Sequence, residues 1–351
     1  MTMNCFHFNK REIGPGQPVY TIAEMSCNHL QDFDRAVKII HAAKASGADA
    51  IKLSTETADG LTLNSSAPPF QIDSGTLWDG MTLHQLYSKT YMPWDWQPRL
   101  YKIAGSIGLD IFSTPDSPDA VDFLQGLNTP AYKIASFELV DIPLLEKVAS
   151  TGKPVIMSTG MATLGEIDEA VRVLRQNGCM EIALLKCVSS YPAKPEEMNL
   201  LTIPHLAEAF NCVVGLSDHS LDIAVPVAAV ALGAKIIEKH FILSRNDGGP
   251  DADFSLEPHE FKQMVHSVRV AEAAIGKVSY ELTPGETSTK VFRRSLFVVK
   301  DMKKGECFNA GNVRCIRPAL GLHPRFFKDI IGKKAGRDLS PGIPLRWDDI
   351  S

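Results

Sequence analysis

Two histidines end the seventh and eighth strands that the sequence predicts, His219 and His240. Two imidazoles on neighbouring strand ends can bind one metal ion and leave several coordination positions open. Glu24 and Asp218, which the topology places nearby, would make this site rich in oxygen, so Mn²⁺ or Mg²⁺ is favoured over zinc. The alternative is that each histidine only forms hydrogen bonds at the rim of the fold.

Three lysines end the second, fourth and sixth predicted strands: Lys52, Lys133 and Lys186. Ammonium groups that point into one opening repel one another unless an anion lies between them, so a phosphate or carboxylate ligand is expected. Hydroxyl groups at other strand ends would supply the neutral donors that a phosphate also accepts: Thr114, Ser136, Ser158 and Ser217. A Schiff-base lysine is a competing use, which a metal site disfavours because the metal already supplies the electrophile. Solvated surface lysines are the simplest alternative.

These residues are positioned by a repeated unit of strand, turn and helix. Eight strands are predicted, at 19–23, 50–53, 110–113, 131–135, 154–158, 182–187, 213–216 and 235–239. Helical patterns lie between or after them, at 34–46, 142–149, 164–176, 223–232 and 258–274. Eight such units in about 260 residues fit an α/β fold with a closed (β/α)8 TIM barrel, in which all strand ends meet at one opening. An open doubly wound sheet is the alternative, but no GxGxxG motif follows the first strand.

Two segments are longer or more acidic than a plain turn requires. The connection over residues 55–96 follows the second strand and carries three of the four tryptophans. A loop of this length is expected to bind ligand or to gate the opening, with packing alone as the simpler alternative. The acidic run at 247–253 follows His240, so a carboxylate that holds substrate is favoured over an ordinary loop or a second metal site.

The pattern changes after Gly276. Residues 281–292 are predicted to link a catalytic barrel over residues 1–280 to a small β-rich domain over residues 293–351. Short strands are predicted in that domain at 296–299 and 313–315. About 60 residues give only a marginal core, so the domain is expected to lean on another surface.

The composition of the 351-residue chain excludes several functional classes. Lys and Arg number 36 against 41 Asp and Glu, and this net charge of −5 lacks the positive excess of a general nucleic-acid binder. The longest uncharged apolar stretch, 223–234, has roughly 12 residues, short of the ~20 that span a bilayer. The first residues show no signal peptide, and seven cysteines without a CxxC pair fit reduced thiols. A cytoplasmic protein is therefore expected.

Several segments together resemble the sialic acid synthase family. In the barrel they are IAEMSCNH (22–29), AYKIAS (131–136), STGM (158–161), GLSDHS (215–220) and IEKHF (237–241). The C-terminal region resembles the antifreeze-like (SAF) domain of that family, at RRSL (293–296), IRP (316–318) and GIPL (342–345). Within the family the chain is most similar to pseudaminic acid synthases, at LTLNS (61–65), LWD (77–79), LKC (185–187), FSL (254–256) and GLHP (321–324).

The resemblance implies a reaction that condenses phosphoenolpyruvate with an amino sugar to give a nine-carbon 2-keto acid and phosphate. The family's metal ligands match His219 and His240, and Glu24 matches the carboxylate beside the metal-bound water. The family's contacts to phosphoenolpyruvate match Lys52, Thr114, Lys133, Ser136, Ser158 and Ser217. Sugar-side positions match Glu138, Tyr191 and Asp251. Arg317 matches an arginine that reaches the opening of the partner subunit in a domain-swapped homodimer.

Two departures from the family bear on the sugar. Family members usually carry Gln shortly after the second-strand lysine, where Leu53 and Ser54 stand here, and Asn where this chain has Ser189. Both weaken an assignment to N-acetylmannosamine more than they weaken the reaction class. The resemblance to pseudaminic acid synthases implies that the sugar is a 2,4-diacetamido-2,4,6-trideoxyhexose of the altrose type, which gives pseudaminic acid. The alternatives are an N-acetylneuraminate or legionaminate synthase, and a non-catalytic carbohydrate-binding protein on an inactivated barrel.

Overall fold

The computed structural model of the chain describes residues 5–73, 75 and 78–351. The chain divides into two compact units, one ending at Gly276 and the other running from Lys277 to Ser351. Each unit has its own set of buried apolar side chains.

The first unit contains a small hairpin and a closed barrel. Its strands within the described residues are β1 (Phe6–Phe8), β2 (Arg11–Ile13), β3 (Tyr20–Glu24), β4 (Ala50–Thr55), β5 (Asp110–Pro115), β6 (Tyr132–Ile134), β7 (Val155–Ser158), β8 (Ile182–Cys187), β9 (Val213–Asp218) and β10 (Ile236–His240). β1 and β2 are antiparallel, whereas β3 to β10 are parallel and close on themselves because β10 pairs with β3. The predicted TIM barrel is therefore confirmed.

Several barrel strands continue further at their carboxyl ends than the hydrophobic pattern predicts. β4 continues to Thr55, β9 to Asp218 and β10 to His240. The strand ladder pairs backbone groups, so polar side chains do not end it. The chemistry-bearing residues at these ends are consequently held by regular strand structure.

Helices cover the outside of the barrel strands, and their ends follow from local capping. Asp32 accepts a hydrogen bond from the backbone N–H of Arg35 at the start of the first helix, and Thr163 and Glu166 form a capping box at the seventh. The five predicted helices are present. The helices of this unit are α1 (Phe33–Ala45), α2 (Ala58–Leu61), α3 (Leu83–Thr90), α4 (Gln97–Ser106), α5 (Pro118–Gly126), α6 (Ile142–Ala149), α7 (Leu164–Gln176), α8 (Thr202–Phe210), α9 (Ala224–Ala231) and α10 (Pro258–Ile275).

Short 3₁₀ turns complete the connections of the first unit, at Pro68–Phe70, Trp94–Trp96, Pro195–Glu197, Arg245–Asp247 and Ala252–Phe254. Throughout the described ranges, no helix combines the length and the apolar character that crossing a membrane would require.

The hairpin of β1 and β2 closes the amino end of the barrel and was not predicted. The Phe8 ring lies 5.3 Å from that of Tyr20 and 5.1 Å from that of Phe112. Phe6, Phe8 and Ile13 are buried with residues from the interior of the barrel. Strands of three residues are too short to show a periodic pattern. The hairpin leaves the carboxyl end as the open end of the barrel.

The second unit has a small core of its own. Its described elements are α11 (Pro284–Thr289), β11 (Ser295–Val298), β12 (Val313–Ile316) and α12 (Phe327–Ile330), with 3₁₀ turns at Lys290–Phe292, Pro324–Phe326 and Trp347–Asp349. β11 and β12 pair antiparallel. The segment predicted as a linker contains α11, because Thr283 and Glu286 form a capping box at its start.

Candidate active site

A cavity of about 690 Å³ opens at the carboxyl end of the barrel strands. Strand residues line one part of it, which we call the floor: Glu24, Lys52, Thr114, Lys133, Ser158, Ser217 and Glu238. The 55–96 connection lines another part with apolar side chains, which we call the outer wall: Leu61, Ile72, Trp78, Leu83 and Leu86. The cavity thus combines a charged and an apolar surface.

Two lysines and two glutamates alternate in the floor. The Lys52 ammonium pairs with Glu24 and lies 3.9 Å from Glu238 Oε1. Lys133 Nζ lies 3.4 Å from the same oxygen and donates a 2.8 Å hydrogen bond to Ser158 Oγ. All four charged side chains are buried, so each charge is balanced by its neighbours rather than by water.

Burial and pairing act against each other on these groups. Burial lowers the pKa of Lys52, but Glu238 and Glu24 outweigh burial and raise it above its ordinary value. Burial prevails at Lys133, where it lowers the pKa, and at Glu24, where it raises the pKa. Burial favours the neutral form of Glu238, but Lys133 and Lys52 outweigh it and lower the pKa. The floor therefore presents closely balanced charges in a poorly solvated space, where electrostatic interactions are strong.

The two histidines lie side by side, with ring centroids 5.2 Å apart. His219 Nδ1 is 2.8 Å from the backbone oxygen of Val188, a contact that leaves Nε2 as the basic nitrogen of the neutral ring. His240 Nδ1 is buried, has no hydrogen-bond partner among the described residues and lies 3.6 Å from Asp251 Oδ2. Burial and the adjacent His219 lower the pKa of His240 well below its ordinary value, so its ring is neutral at pH 7.

The paired imidazoles of His219 and His240 fit a divalent cation that takes its other ligands from oxygen. Metal-binding histidines are commonly oriented by a hydrogen bond from the ring nitrogen that does not bind the metal, and the contact between His219 Nδ1 and the Val188 carbonyl oxygen is of this kind. Over the ranges that the structure describes, no group of three or more His, Cys, Asp or Glu side chains is arranged to hold a metal. The donor set thus suits the predicted Mn²⁺ or Mg²⁺ better than zinc, and metal binding stays a prediction.

The predicted hydroxyl residues Thr114, Ser136, Ser158 and Ser217 line the same cavity, and so does Ser189, which stands where family members carry Asn. Ser217 Oγ donates a 3.0 Å hydrogen bond to Glu238 Oε1, and Ser136 Oγ accepts one of 3.0 Å from the backbone N–H of Gly160. A Cβ atom at position 160 would lie 2.7 Å from Ser136 Oγ. Glycine at this position therefore allows the backbone to approach the hydroxyl group.

Aromatic rings connect the histidines to the outer wall. The Tyr191 ring lies 4.5 Å from that of His219, 5.0 Å from that of Phe254 and 6.0 Å from that of Trp78. Glu138 and Asp251, the other predicted sugar-side residues, also line the cavity. Ligand at the floor and ligand at the outer wall would therefore meet near the paired imidazoles.

Two family models together match most of the chain. The NeuB family model matches residues 39–280, and the SAF domain model matches residues 293–351. The pseudaminic acid synthase of Helicobacter pylori is 45% identical over 95% of this chain and 98% of its own length. The chain belongs to the NeuB family of sialic acid synthases. The predicted family and the predicted enzyme class are therefore confirmed.

Other NeuB relatives agree. The pseudaminic acid synthase of Campylobacter jejuni is 44% identical over 94% of this chain and 96% of its own. The crystal structure of spore coat polysaccharide biosynthesis protein SpsE from Bacillus subtilis, 36% identical, superposes with a TM-score of 0.67 and covers 99% of both chains. The predicted fold class, a TIM barrel followed by a SAF domain, is therefore confirmed.

One predicted floor residue of this NeuB chain lies elsewhere. Lys186 is absent from the described residues that line the cavity, and its ammonium donates a 3.1 Å hydrogen bond to the backbone oxygen of Cys187. Successive side chains of a strand point to opposite faces, and Cys187 is the neighbour that faces the cavity. The expectation that three lysines share one opening is therefore wrong for Lys186.

Asp218 also departs from its expected position beside the metal. Its carboxylate is fully buried, 2.6 Å from Lys239 Nζ, and it does not line the cavity. Asp251 lies beside His240 instead.

Sequence reasoning missed several ionisable residues that line the cavity, among them Glu56, Asp116 and Cys187. Burial, reinforced by Asp116, raises the pKa of Glu56 to about 8. Burial raises the pKa of the Cys187 thiol, but the hydrogen bond to His219 and the charge of that ring, together with Ser136 and Lys133, outweigh burial and lower the pKa to about 7. Glu56 and Asp116 directly follow barrel strands, and this position in the loops of the catalytic face was the signal that could have found them.

Two residues named in the sequence analysis, Arg317 and Leu77, are not among those described in the cavity. Arg317 is an exposed residue of the second unit, and its role at a partner's opening stays a prediction. Leu77, from one segment that carried the resemblance, lies outside the described residues.

Proposed function

We propose that the protein condenses phosphoenolpyruvate with a 2,4-diacetamido-2,4,6-trideoxyhexose of the altrose type to give pseudaminic acid and phosphate. The observation that carries the proposal is one cavity that joins the lysine-bearing floor to the paired imidazoles of His219 and His240. The named activity of the H. pylori and C. jejuni relatives supports it.

Phosphoenolpyruvate is proposed to bind at the floor. Lys52 and Lys133 would face its phosphate and carboxylate, and the hydroxyl groups of Thr114 and Ser158 already bond these two ammonium groups. Charge-assisted hydrogen bonds in a buried site are strong, so binding would consist of positioning and electrostatic stabilisation. Further hydroxyl donors would come from Ser136, Ser189 and Ser217.

His219 and His240 would hold the proposed Mn²⁺ or Mg²⁺. When bound, the metal would supply Lewis acidity that polarises the aldehyde of the open-chain sugar. Tyr191, Glu138 and Asp251 line the cavity near these rings and would orient the sugar.

The proposed reaction forms a C–C bond and a C–O bond to water, and it breaks the C–O bond between carbon 2 and the bridging oxygen. Carbon 3 of phosphoenolpyruvate attacks the sugar aldehyde, and positive charge develops at carbon 2. Water oriented by the Glu24 carboxylate adds to carbon 2, and the resulting tetrahedral intermediate expels phosphate together with the bridging oxygen. The oxygen of that water remains as the 2-keto group, one of its protons ends on the former aldehyde oxygen, and the other leaves with phosphate. Glu24 is fixed for this role by the backbone N–H of Ser26, 2.8 Å from Oε1, and by its pairing with Lys52.

Isotope labelling tests the bond cleavage. Phosphoenolpyruvate with ¹⁸O in the bridging position is expected to release labelled phosphate, and only when the sugar is present. Mass spectrometry of both products provides the measurement, with His219→Ala as the inactive control. Label retained in the keto acid would contradict the mechanism.

A second sugar class is favoured by one relative. The N,N'-diacetyllegionaminic acid synthase of C. jejuni is 38% identical over 90% of this chain and 96% of its own. Comparing kcat/KM for the altrose-type sugar, its legionaminate-type isomer and N-acetylmannosamine in one keto-acid assay separates the candidates. A higher kcat/KM with either alternative sugar would replace the proposed substrate.

A cytoplasmic, domain-swapped homodimer is part of the proposal, and Arg317 is exposed and therefore accessible to a partner subunit. Mixing Arg317→Ala with His219→Ala tests it, because a swapped heterodimer has one opening with both residues intact. Activity should then recover to about a quarter of the wild-type rate on statistical mixing. No recovery would indicate that each subunit uses its own arginine, and full activity of Arg317→Ala by itself would indicate that the arginine is not used.

A further inference from the structure

Two fully buried charges lie directly beside the paired histidines. Asp218 and Lys239 are backbone partners on the neighbouring strands β9 and β10, and their side chains pair at 2.6 Å with no solvent exposure. Both residues stand outside the cavity lining, so neither touches a ligand there. Their place in the sequence is informative, because each is followed immediately by a proposed metal ligand, His219 or His240.

The ion pair also fixes the chain on the far side of His219. Lys239 Nζ donates to the backbone oxygen of Ser220 and lies 3.4 Å from its hydroxyl oxygen. Asp218 Oδ1 accepts a 2.8 Å hydrogen bond from the Ser220 backbone N–H. His219 is thus held between two residues that are both bound to the same buried ammonium.

The opposite face of the same two strands carries a second polar pair. Ser217 and Glu238 are also backbone partners, and Ser217 Oγ donates a 3.0 Å hydrogen bond to Glu238 Oε1. This inner pair faces the cavity, whereas the Asp218–Lys239 pair faces away from it. The ends of β9 and β10 are therefore linked by side chains on both faces.

Stability alone does not account for the buried charges. Desolvating two charges offsets most of their attraction, and apolar residues of similar volume commonly stabilise such a position equally well. A fixed geometry for the two histidines does account for them, since outer contacts orient the side chains that bind a metal.

We propose that the Asp218–Lys239 ion pair is a positioning device that holds the His219 and His240 imidazoles at the spacing a divalent cation requires. This inference rests on the proposed metal site. Asp218 and Lys239 act through the neighbouring histidines and are positioning residues rather than catalytic ones.

The test replaces both charges together, so that no lone charge stays buried. In the full-length Asp218→Leu/Lys239→Met variant, we expect a dissociation constant for Mn²⁺ about tenfold or more above the wild-type value. Titration calorimetry of the metal-free protein measures this without turnover. We also expect kcat to fall while KM for phosphoenolpyruvate and Tm change little. Asp218→Asn/Lys239→Gln, which retains polar partners of similar size, serves as a second variant and should weaken Mn²⁺ binding in the same direction.

An ion pair at the opposite end of the barrel provides the matched control. Arg269 and Glu272 pair at 2.8 Å, and Arg269 also donates to the backbone oxygen of Val19. Arg269→Met/Glu272→Leu is expected to keep the wild-type affinity for Mn²⁺. If a folded double variant at positions 218 and 239 has a dissociation constant for Mn²⁺ within twofold of the wild-type value, the positioning role is overturned but the proposed metal site is not. Wild-type protein that binds no Mn²⁺, or binds it unchanged after His219→Ala, would overturn the proposed metal site itself.

Discussion

At the scale of single residues, Glu238 gives the floor its balance of charge. One of its oxygens lies 3.4 Å from Lys133 Nζ, 3.9 Å from Lys52 Nζ and 3.0 Å from Ser217 Oγ. An anion that binds between the lysines competes with this carboxylate for the same donors. The lysines of the floor can therefore bind an anion, and Glu238 balances their charge when no anion is bound.

Lys133→Met tests that balance. Removing one partner of a buried charge pair costs about 3–5 kcal/mol in the free energy of unfolding, so the variant should unfold at lower denaturant concentration. Loss of a charge-assisted donor should also lower kcat/KM for phosphoenolpyruvate by about 100-fold or more. Lys186→Met is the control, since Lys186 is absent from the described lining of the cavity, and should keep kcat/KM within a few-fold. Equal losses in both variants would contradict the geometry.

The raised pKa of Glu56 should make the free energy of unfolding depend on pH. Its pKa is raised to about 8, by burial first and then by Asp116, Asp251 and Glu138. The folded protein therefore retains a proton on Glu56 at pH values where the unfolded chain has lost it. This group consequently makes the folded state less stable as pH rises from about 4.5 to about 8, with no further change above.

Glu56→Gln should remove this contribution. The free energy of unfolding of the variant, relative to wild type, is expected to increase steadily between pH 5 and pH 8 and to level off above. Denaturant unfolding at a series of pH values measures it. A difference independent of pH would show that Glu56 titrates normally.

At the scale of elements, the strand ends and the 55–96 connection form different surfaces of the cavity. The strands carry the charged floor, whereas the connection, with α2 and α3, supplies the apolar outer wall. A methyl-bearing diacetamido-trideoxy sugar has apolar groups to place against such a wall.

Trp78→Ala tests the division. The Trp78 ring lies 6.0 Å from that of Tyr191, so its loss should weaken sugar contacts and leave the floor intact. KM for the sugar is expected to rise about tenfold, as for the loss of roughly 1.4 kcal/mol of binding energy, while KM for phosphoenolpyruvate stays within twofold. Tyr280→Ala, which removes a 99% exposed ring, is the control. An equal rise in both KM values would contradict separate subsites.

At the scale of the whole molecule, the barrel separates stability from chemistry. The hairpin of β1 and β2 packs at the amino end, and the cavity opens at the carboxyl end. Substitutions at the two ends should therefore have different consequences.

Phe8→Ala shows this separation. The fully buried Phe8 ring packs against Tyr20 and Phe112, so its truncation should cost about 3–5 kcal/mol in the free energy of unfolding. Both KM values, measured well below Tm, should match wild type. Phe292→Ala, which truncates an exposed ring, should leave stability unchanged. Changed KM values for folded Phe8→Ala would mean that the two ends are coupled.

The sequence alone determined the repeated strand–helix unit and hence the positions of His219, His240, Lys52 and Lys133 at strand ends. Short β-branched runs and helix caps are local sequence patterns, so they can be recognised without knowing the tertiary contacts. The same reasoning located the outer connection but not the pairing of Glu238 with the two lysines, since a charge balance depends on distances.

Only the tertiary structure decided which way individual side chains point. Lys186 and Asp218 end predicted strands, as the true floor residues do, yet they do not line the cavity. Parallel barrel strands are buried on both faces and appear as continuous apolar runs, so the sequence carries no alternation that distinguishes the inner face from the outer one. The register of the closed barrel makes that choice.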